Sequence, residues 1–245
     1  MAIFDGRVRV RYGYSRYGWT RGGGRTWHGG SDEEGLDSNL ILMPGYKGKS
    51  ISGTVTRARK VDKSTGNRTW EWGWYVCVQL DADQTPDAVN FLYFCHNSRN
   101  FVTVGQKVKS GDVLAVMGNT GNAAEADPPF AHCHFEARAT ATSSGLDPSA
   151  YTGHPNEVGT YGEAPQGASY TATVLVDGLR LRPYPEAEDD NANEALATLA
   201  KGKTYPLRQT RGGWAFLLTD DGTAGGWACI KEGGTEYLKI EEALT

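Results

Sequence analysis

Two of the five histidines in the chain, His132 and His134, are separated by a single residue within an apolar stretch. On a β-strand, residues i and i+2 point to the same side, so the two imidazole rings are expected side by side. On a helix the same spacing would set them about 200° apart, too far round the axis to converge. Two imidazoles on one face can share a metal ion, or one can bind the ion while the other transfers protons. The alternative is a strand that carries two surface histidines.

His28 and Asp32 form a second candidate pair. Two glycines and a serine separate them, and glycine lets the chain turn back sharply enough for both side chains to reach one cation. Imidazole and carboxylate are both ordinary zinc ligands. An aspartate that caps a turn beside a surface histidine would give the same sequence. His96 ends an apolar run and is expected at the end of a strand, where a single histidine is more often structural than functional.

The segments that must position these side chains have the pattern of short strands. Arg7–Arg11, Tyr75–Leu80 and Val113–Met117 alternate apolar and polar residues with period two. Clusters of Gly, Asn, Asp and Ser separate them, as turns require. No stretch of the first 150 residues keeps a helical period. We therefore predict an all-β fold, mainly antiparallel.

The composition divides the chain into two modules. Residues 153–170 are rich in Gly, Pro, Ser and Thr and lack periodicity, which is typical of a linker. We predict one domain over residues 1–152, this linker over 153–170, and a small β-barrel over 171–245. The expected strands of the barrel are Ala172–Val176, Leu179–Arg182, Trp214–Leu218 and Gly226–Ile230.

Composition and charge exclude several classes of protein and function. Hydrophobic residues make up 39% of the chain, which excludes a disordered protein, and no run of 18 apolar residues could span a membrane. The net charge of -4 gives no reason to expect nucleic-acid binding. Acidic residues outnumber basic ones from residue 157 onward, whereas the first 156 residues are nearly neutral. The four cysteines form no CxxC pair and are expected to be mostly free thiols.

In order and spacing, these motifs resemble the lysostaphin/LytM type of zinc metallopeptidase, whose members cut peptide bonds in peptidoglycan. The resemblance extends over roughly residues 5–145. The segments that carry it are Ser15–Trp19, His28–Asp32, Phe94–His96, Gly105–Asp112, Gly118–Gly121 and His132–Glu136. The chain departs from the pattern at Cys133, where the family has leucine, at Ser31, where it has isoleucine, and in a longer loop over Ala123–Phe130.

The resemblance implies a role for each site residue. Zinc would be held by His28, Asp32 and His134, and a water molecule would take the fourth position of a catalytic site. His96 and His132 would flank the ion as catalytic residues, and which of the two is the general base stays open. The substrate would be a peptidoglycan peptide, and the protein would act outside the cell or in the cell wall. The N-terminus lacks the layout of a signal peptide, so we expect a trimmed signal or a phage-type release.

The C-terminal module resembles a bacterial SH3 domain, which implies binding to the cell wall. Leu179–Pro183, Leu199–Lys203, Gly213–Trp214 and Gly225–Trp227 carry this second resemblance. At least one of the two tryptophans, Trp214 and Trp227, is expected to be core. We assume a monomer.

Two alternatives to a zinc peptidase are open at this point. One is a non-catalytic wall-binding or regulatory protein that kept the fold. The other is a cysteine peptidase, which is disfavoured because Cys133 should point away from its neighbouring histidines.

Three further segments allow two interpretations each. The aromatic run Trp70–Tyr75 is expected to form a strand, whose rings either line a substrate groove or pack the sheet. Glu136 shares the face of His132 and His134, yet a solvated glutamate is the favoured interpretation. The acidic run Glu186–Asn191 is expected to be a solvated loop rather than a cation site, because it lacks the regular oxygen-ligand spacing.

Overall fold

The computed structural model describes residues 2–165, 167–186, 193–220 and 225–243, and the chain forms two compact units, Met1–Pro165 and Gln166–Thr245. Every strand pair among the described residues is antiparallel, and the one α-helix there is the four-residue α1, Ser149–Thr152. The predicted all-β, mainly antiparallel fold is confirmed. Most of the acidic run at 186–191 lies outside the described residues.

The first unit is built on one long sheet. Its strands, in chain order, are β1 Val8–Val10, β2 Gly18–Arg21, β3 Thr26–His28, β4 Ser31–Gly35, β5 Leu40–Leu42, β6 Ser52–Arg59, β7 Trp74–Leu80, β8 Phe91–Asn97, β9 Arg99–Asn100, β10 Lys107–Lys109, β11 Val113–Val116, β12 Cys133–Arg138, β13 Gly145–Leu146 and β14 Gly159–Tyr161. The sheet runs in the order β10-β6-β7-β8-β12-β4-β1-β14, with β13 paired to β12. A small sheet, β5-β11-β9, and the β2-β3 hairpin complete the strands of this unit.

Short 3-10 helices occupy Gly13–Ser15, Lys63–Thr65, Trp70–Trp72 and Gly121–Glu125. The strand expected over Trp70–Tyr75 is therefore only partly correct, since β7 begins at Trp74. Gly73 explains the change of direction, because its φ of 62° lies in the left-handed region that favours glycine. An added Cβ there would lie 2.2 Å from Thr120 Oγ1, so the two segments can meet only at a glycine.

Part of the predicted linker belongs to the first unit. Within residues 153–170, β14 pairs with β1, and Val8 lies opposite Tyr161. The linker interpretation was wrong for this stretch because a three-residue edge strand is too short to show periodicity among glycines and prolines.

The second unit contains a five-stranded sheet in the order β20-β19-β18-β15-β23. Its strands are β15 Tyr170–Val174, β16 Leu179–Leu181, β17 Ala197–Leu199, β18 Thr204–Arg211, β19 Trp214–Leu218, β20 Gly225–Cys229, β21 Lys231–Glu232, β22 Thr235–Glu236 and β23 Leu238–Glu242. Trp227 is fully buried and packs edge-on against Phe216, whereas Trp214 is only partly buried. One of the two tryptophans is thus core.

The core of the first unit lies under one face of β12. Cys133, Phe135 and Ala137 all belong to its apolar cluster and are completely buried. The alternate residues of the same strand face the other way, so a single strand supplies both the core and the opposite, polar face.

Phe135→Ala is expected to lower the free energy of unfolding by about 3–5 kcal/mol, because it leaves a cavity where the ring packs against Phe94. Urea denaturation measures the change. The matched control is Val104→Ala, whose side chain is 65% exposed and whose loss should cost no more than about 0.5 kcal/mol. Equal effects of the two substitutions would contradict this placement of Phe135.

Candidate metal centre

The pairing of β12 with β4 brings the first two site residues together. His134 lies directly opposite Asp32 in the register, and His28 ends β3 just before β4 begins. Gly30 makes this approach possible. A Cβ at that position would lie 2.3 Å from the Phe135 carbonyl oxygen, so only glycine fits in the turn between the two ligand-bearing strands.

Three ligand atoms converge at this point: His28 Nε2, Asp32 Oδ1 and His134 Nδ1. The two imidazole nitrogens are 3.0 Å apart, and the carboxylate oxygen lies 3.2 Å from His28 Nε2 and 2.9 Å from His134 Nδ1. Ligands at the usual zinc distances in a tetrahedron stand roughly 3.3 Å from one another. The three atoms therefore fit one small cation with N and O ligands.

In both His28 and His134, the ring nitrogen that is not part of this cluster has its own hydrogen-bond partner. His28 Nδ1 donates to the Arg16 carbonyl oxygen at 2.8 Å, and His134 Nε2 donates to Glu136 at 2.8 Å. Such bonds fix the orientation of an imidazole and leave its other nitrogen free to bind a metal. The donor set and its supporting bonds thus have the chemistry of a metal site.

Glu136 is buried at 6% exposure and contacts Arg138 as well as His134. Burial raises the pKa of its carboxyl group, but the hydrogen bonds from His134 and Arg138 outweigh burial and lower the pKa to about 2. The solvated glutamate favoured from the sequence was wrong. The reason is Arg138, which lies two residues along the same strand and compensates the buried charge.

His96 and His132 lie beside the three ligand atoms. Their ring centroids are 4.8 Å apart, and His132 Nε2 is 3.7 Å from Asp32 Oδ1. His96 Nδ1 donates to the Thr120 carbonyl oxygen at 2.9 Å, which leaves its Nε2 as an acceptor. His96 also has a φ of 65°, which is rare for a residue with a side chain and typical of functional positions.

Burial sets the charge of both flanking rings. It lowers the pKa of His96 to about 3, with help from the neighbouring His132, and it also lowers the pKa of His132. Both imidazoles are therefore neutral near pH 7, and a neutral imidazole has one ring nitrogen that can accept a hydrogen bond.

Two of the candidate ligands, Asp32 and His28, also have lowered pKa values, for different reasons. Burial raises the pKa of Asp32, but hydrogen bonds from His134 and His28 outweigh it and hold the pKa well below its usual value. Burial lowers the pKa of His28.

An open cleft of about 520 Å³ lies over the site. Its lining combines the site residues with aromatic rings, and these are Tyr14, Trp27, Trp72 and Phe130. The rings of the aromatic run were expected either to line a groove or to pack the sheet. Trp72 does both, since it lines the cleft and packs edge-on against Tyr75 and Tyr93.

The cleft also contains Arg21, which was not predicted from the sequence. The sequence feature that could have indicated it is the run of three glycines after Arg21, which turns the hairpin back toward His28.

Residues 50–148 match the model of Peptidase family M23. The chain is similar to this family over that segment, which is less than half of its length. His96, His132 and His134 lie inside the matched segment, whereas His28 and Asp32 precede it. No helix among the residues with described structure is long and apolar enough to cross a membrane.

Several solved structures are similar to the chain. One is the antimicrobial peptidase lysostaphin from Staphylococcus simulans, with 19% identity, a TM-score of 0.39, and coverage of 96% of this chain and 95% of that one. A zinc-containing peptidase from Vibrio cholerae has 22% identity, a TM-score of 0.35, and coverage of 53% and 32%. A putative peptidase M23 from Pseudomonas aeruginosa has 22% identity, a TM-score of 0.36, and coverage of 52% and 44%. The chain therefore spans less than half the length of the last two.

Two buried cysteines lie on strands that carry site histidines. Cys133 is fully buried in the apolar core cluster, and Cys95, which lies opposite His134 in the register, is also buried. Burial raises the pKa of both thiols well above the usual value. A thiolate is the nucleophilic form of cysteine, so neither residue is suited to attack a substrate. All four cysteines are free, as the sequence predicted.

Glu136→Gln is expected to lower the pKa of His134 in protein stripped of metal. Burial lowers that pKa, but the bonds to Asp32 and Glu136 raise it to about 9, and the substitution removes one of the two negative charges. The charged ring stabilises the fold in full below its ordinary pKa near 6.5, and this contribution is lost as the pH rises through about 9.

NMR titration of the imidazole protons measures the midpoint, and chemical denaturation across the same pH range measures the stability. Glu71→Gln is the matched control, because Glu71 lines the cleft but is not one of the groups that shift the pKa of His134. An unchanged His134 midpoint in Glu136→Gln would rule out this coupling.

Proposed function

We propose that the protein is a zinc-dependent endopeptidase that hydrolyses peptide bonds in bacterial peptidoglycan. The observation that supports this most directly is the convergence of His28, Asp32 and His134, with their ligand atoms about 3 Å apart at the base of the cleft. The match of residues 50–148 to Peptidase family M23 supports the peptidase chemistry. The resemblance of the motifs to the lysostaphin/LytM type supports peptidoglycan as the substrate.

Zinc is the metal that best suits this donor set. Two imidazoles and one carboxylate are a common catalytic zinc set, and three protein ligands leave one position for water or substrate. When bound, zinc polarises the scissile carbonyl and makes a water molecule acidic enough to attack near neutral pH. The ligands carry one negative charge between them, so the occupied site would keep a net positive charge.

The flanking histidines handle protons in this proposal. His96 and His132 are both neutral near pH 7 and lie side by side next to the ligand cluster. Together they supply an acceptor for the proton of the attacking water and a donor for the leaving amine. The hydrogen bond to Thr120 fixes the ring of His96, which keeps its free nitrogen turned toward the cleft.

The cleft suits an extended peptide. It is open to solvent, and the aromatic rings that line it offer apolar surface to a flexible chain of small residues. We propose that the substrate peptide lies across these rings with its scissile bond above His134.

The second unit is proposed to hold the enzyme on its polymer. Its compact β-fold and the partly buried Trp214, which lines a cavity of about 280 Å³, support an SH3-like wall-binding domain. Tethering of this kind raises the local concentration of substrate without new catalytic contacts. Binding to the wall implies that the protein acts outside the cell or in the wall, and we propose that it does so as a monomer.

Digestion of purified peptidoglycans with different cross-bridges tests the proposed activity. Mass spectrometry should find new amino termini that disappear when zinc is chelated.

Variants of the site residues test their separate roles. His134→Ala should lose both zinc and activity. His96→Ala and His132→Ala should keep zinc and lose about 100-fold or more of the cleavage rate, because general acid–base catalysis is worth about that much.

Cys133→Ala serves as the control and should keep its activity. If zinc-loaded protein cleaves no wall, the proposed activity is wrong, and a non-catalytic wall-binding protein of the same fold becomes the better interpretation. If Cys133→Ala is the inactive variant, a cysteine peptidase replaces the zinc enzyme.

Trp214→Ala tests the proposed wall binding. We expect less protein to sediment with insoluble peptidoglycan, while the cleavage of soluble wall fragments stays unchanged because the catalytic residues are untouched. The matched control is Tyr170→Ala, an aromatic of the same unit whose side chain is 46% exposed. Equal sedimentation of the wild type and Trp214→Ala would exclude Trp214 from the binding surface.

A further inference from the structure

The two oxygens of Asp32 have different partners. Oδ1 faces the histidines, at 3.2 Å from His28 Nε2, 2.9 Å from His134 Nδ1 and 3.7 Å from His132 Nε2. Oδ2 accepts a hydrogen bond from Arg21 Nη2 at 2.8 Å. The carboxylate is almost fully buried, with 2% of its side chain exposed, so neither oxygen has much access to water.

Arg21 is itself held in place. It ends β2, and its Nε donates to the Tyr14 carbonyl oxygen at 3.2 Å while Nη2 reaches Asp32. The chain then turns through Gly22, Gly23 and Gly24, which all have positive φ, and returns along β3 to His28. The planar guanidinium thus bridges a backbone carbonyl and a carboxylate, a geometry that the single point charge of lysine does not reproduce.

We propose that Arg21 is a positioning residue that holds the outer oxygen of Asp32 and so leaves only Oδ1 to bind the metal. This inference rests on the proposed zinc site. A carboxylate can bind a metal through one oxygen or through both, and a charged donor on the second oxygen favours the first mode. Groups that orient a ligand in this way commonly change metal affinity by 10–100-fold when they are removed.

Arg21 has a second contact, and only one of the two bonds can persist when a metal ion is bound. Nη2 also lies 2.9 Å from His28 Nε2, which is itself a proposed ligand atom. A nitrogen that binds a metal cannot accept a hydrogen bond with the same lone pair. The bond to Asp32 Oδ2 is therefore the one that is compatible with a bound ion.

Repulsion between Arg21 and the ion opposes this effect. The arginine side chain is 37% exposed, so solvent and salt screen its charge, whereas its hydrogen bond ends on a buried oxygen. The orienting effect should therefore outweigh the repulsion. Loss of Arg21 should weaken metal binding rather than strengthen it.

Substitution of cobalt for zinc tests the inference without an activity assay. The visible absorption band of Co²⁺ weakens when its coordination number rises from four to five, as it would if Asp32 bound through both oxygens. Arg21→Met should weaken the band, and competition with a chelator should show about 10-fold weaker zinc binding. Arg21→Lys should restore the band in part, because it returns a charged donor.

The matched control is Arg25→Met, on the same hairpin. Arg25 is exposed and donates to the Gly22 carbonyl oxygen at 3.0 Å. Its substitution should leave the wild-type band and affinity intact.

The outcomes separate this inference from the proposed function. If Arg21→Met or, should that variant fail to fold, Arg21→Gln has the wild-type band, the inference is overturned whatever happens to affinity. If Arg25→Met weakens the band as much as Arg21→Met, the effect belongs to the hairpin as a whole and the inference is also overturned. If the wild-type protein binds neither cobalt nor zinc, the proposed zinc enzyme fails.

Discussion

A single buried carboxylate, Asp32, organises the site. Removing such a charge from water is costly unless charged or hydrogen-bonding partners replace the solvent. Here two imidazoles and a guanidinium do so, and each comes from a different part of the chain. The pairing of β4 with β12, the glycine that lets them approach, and the hairpin that carries Arg21 all serve to surround this one group.

The electrostatics of the site follow from where each ring lies relative to that carboxylate. His134 is bonded to both Asp32 and Glu136, so its proton is retained far above the usual pH range of histidine. His96 is buried among other imidazoles and is a weak base. Rings of the same chemical type thus differ in pKa because their neighbours differ, as is common at functional sites.

Features with a local signature could be predicted from the sequence. The alternation of residues along β12 placed His132 and His134 on one face and Cys133 on the other, and it did so without knowledge of the neighbouring strands. The bounds of strands such as Trp214–Leu218 were also predicted from the local pattern of apolar residues and turn residues. The resemblance to a peptidase family could be recognised from the sequence because the glycines and histidines of its motifs occur in a fixed order.

What could not be predicted depends on contacts between distant segments. Glu136 looks like a surface residue until Arg138 and His134 are placed around it. The 3-10 helix at Trp70–Trp72 depends on Gly73 meeting Thr120. Arg21 reaches Asp32 only because a glycine turn reverses the hairpin. Each of these outcomes is decided by tertiary packing rather than by local propensity.

The separation of the candidate ligands along the chain has a consequence for the order of folding. His28 and His134 are 106 positions apart, and β12 is among the last strands of the first unit to be synthesised. Folds that depend on such distant pairings form slowly, because a long loop must close before any contact is gained. A nascent chain that has not yet reached residue 134 possesses only two of the three candidate ligands. The three atoms can therefore meet only after β12 has paired with β4.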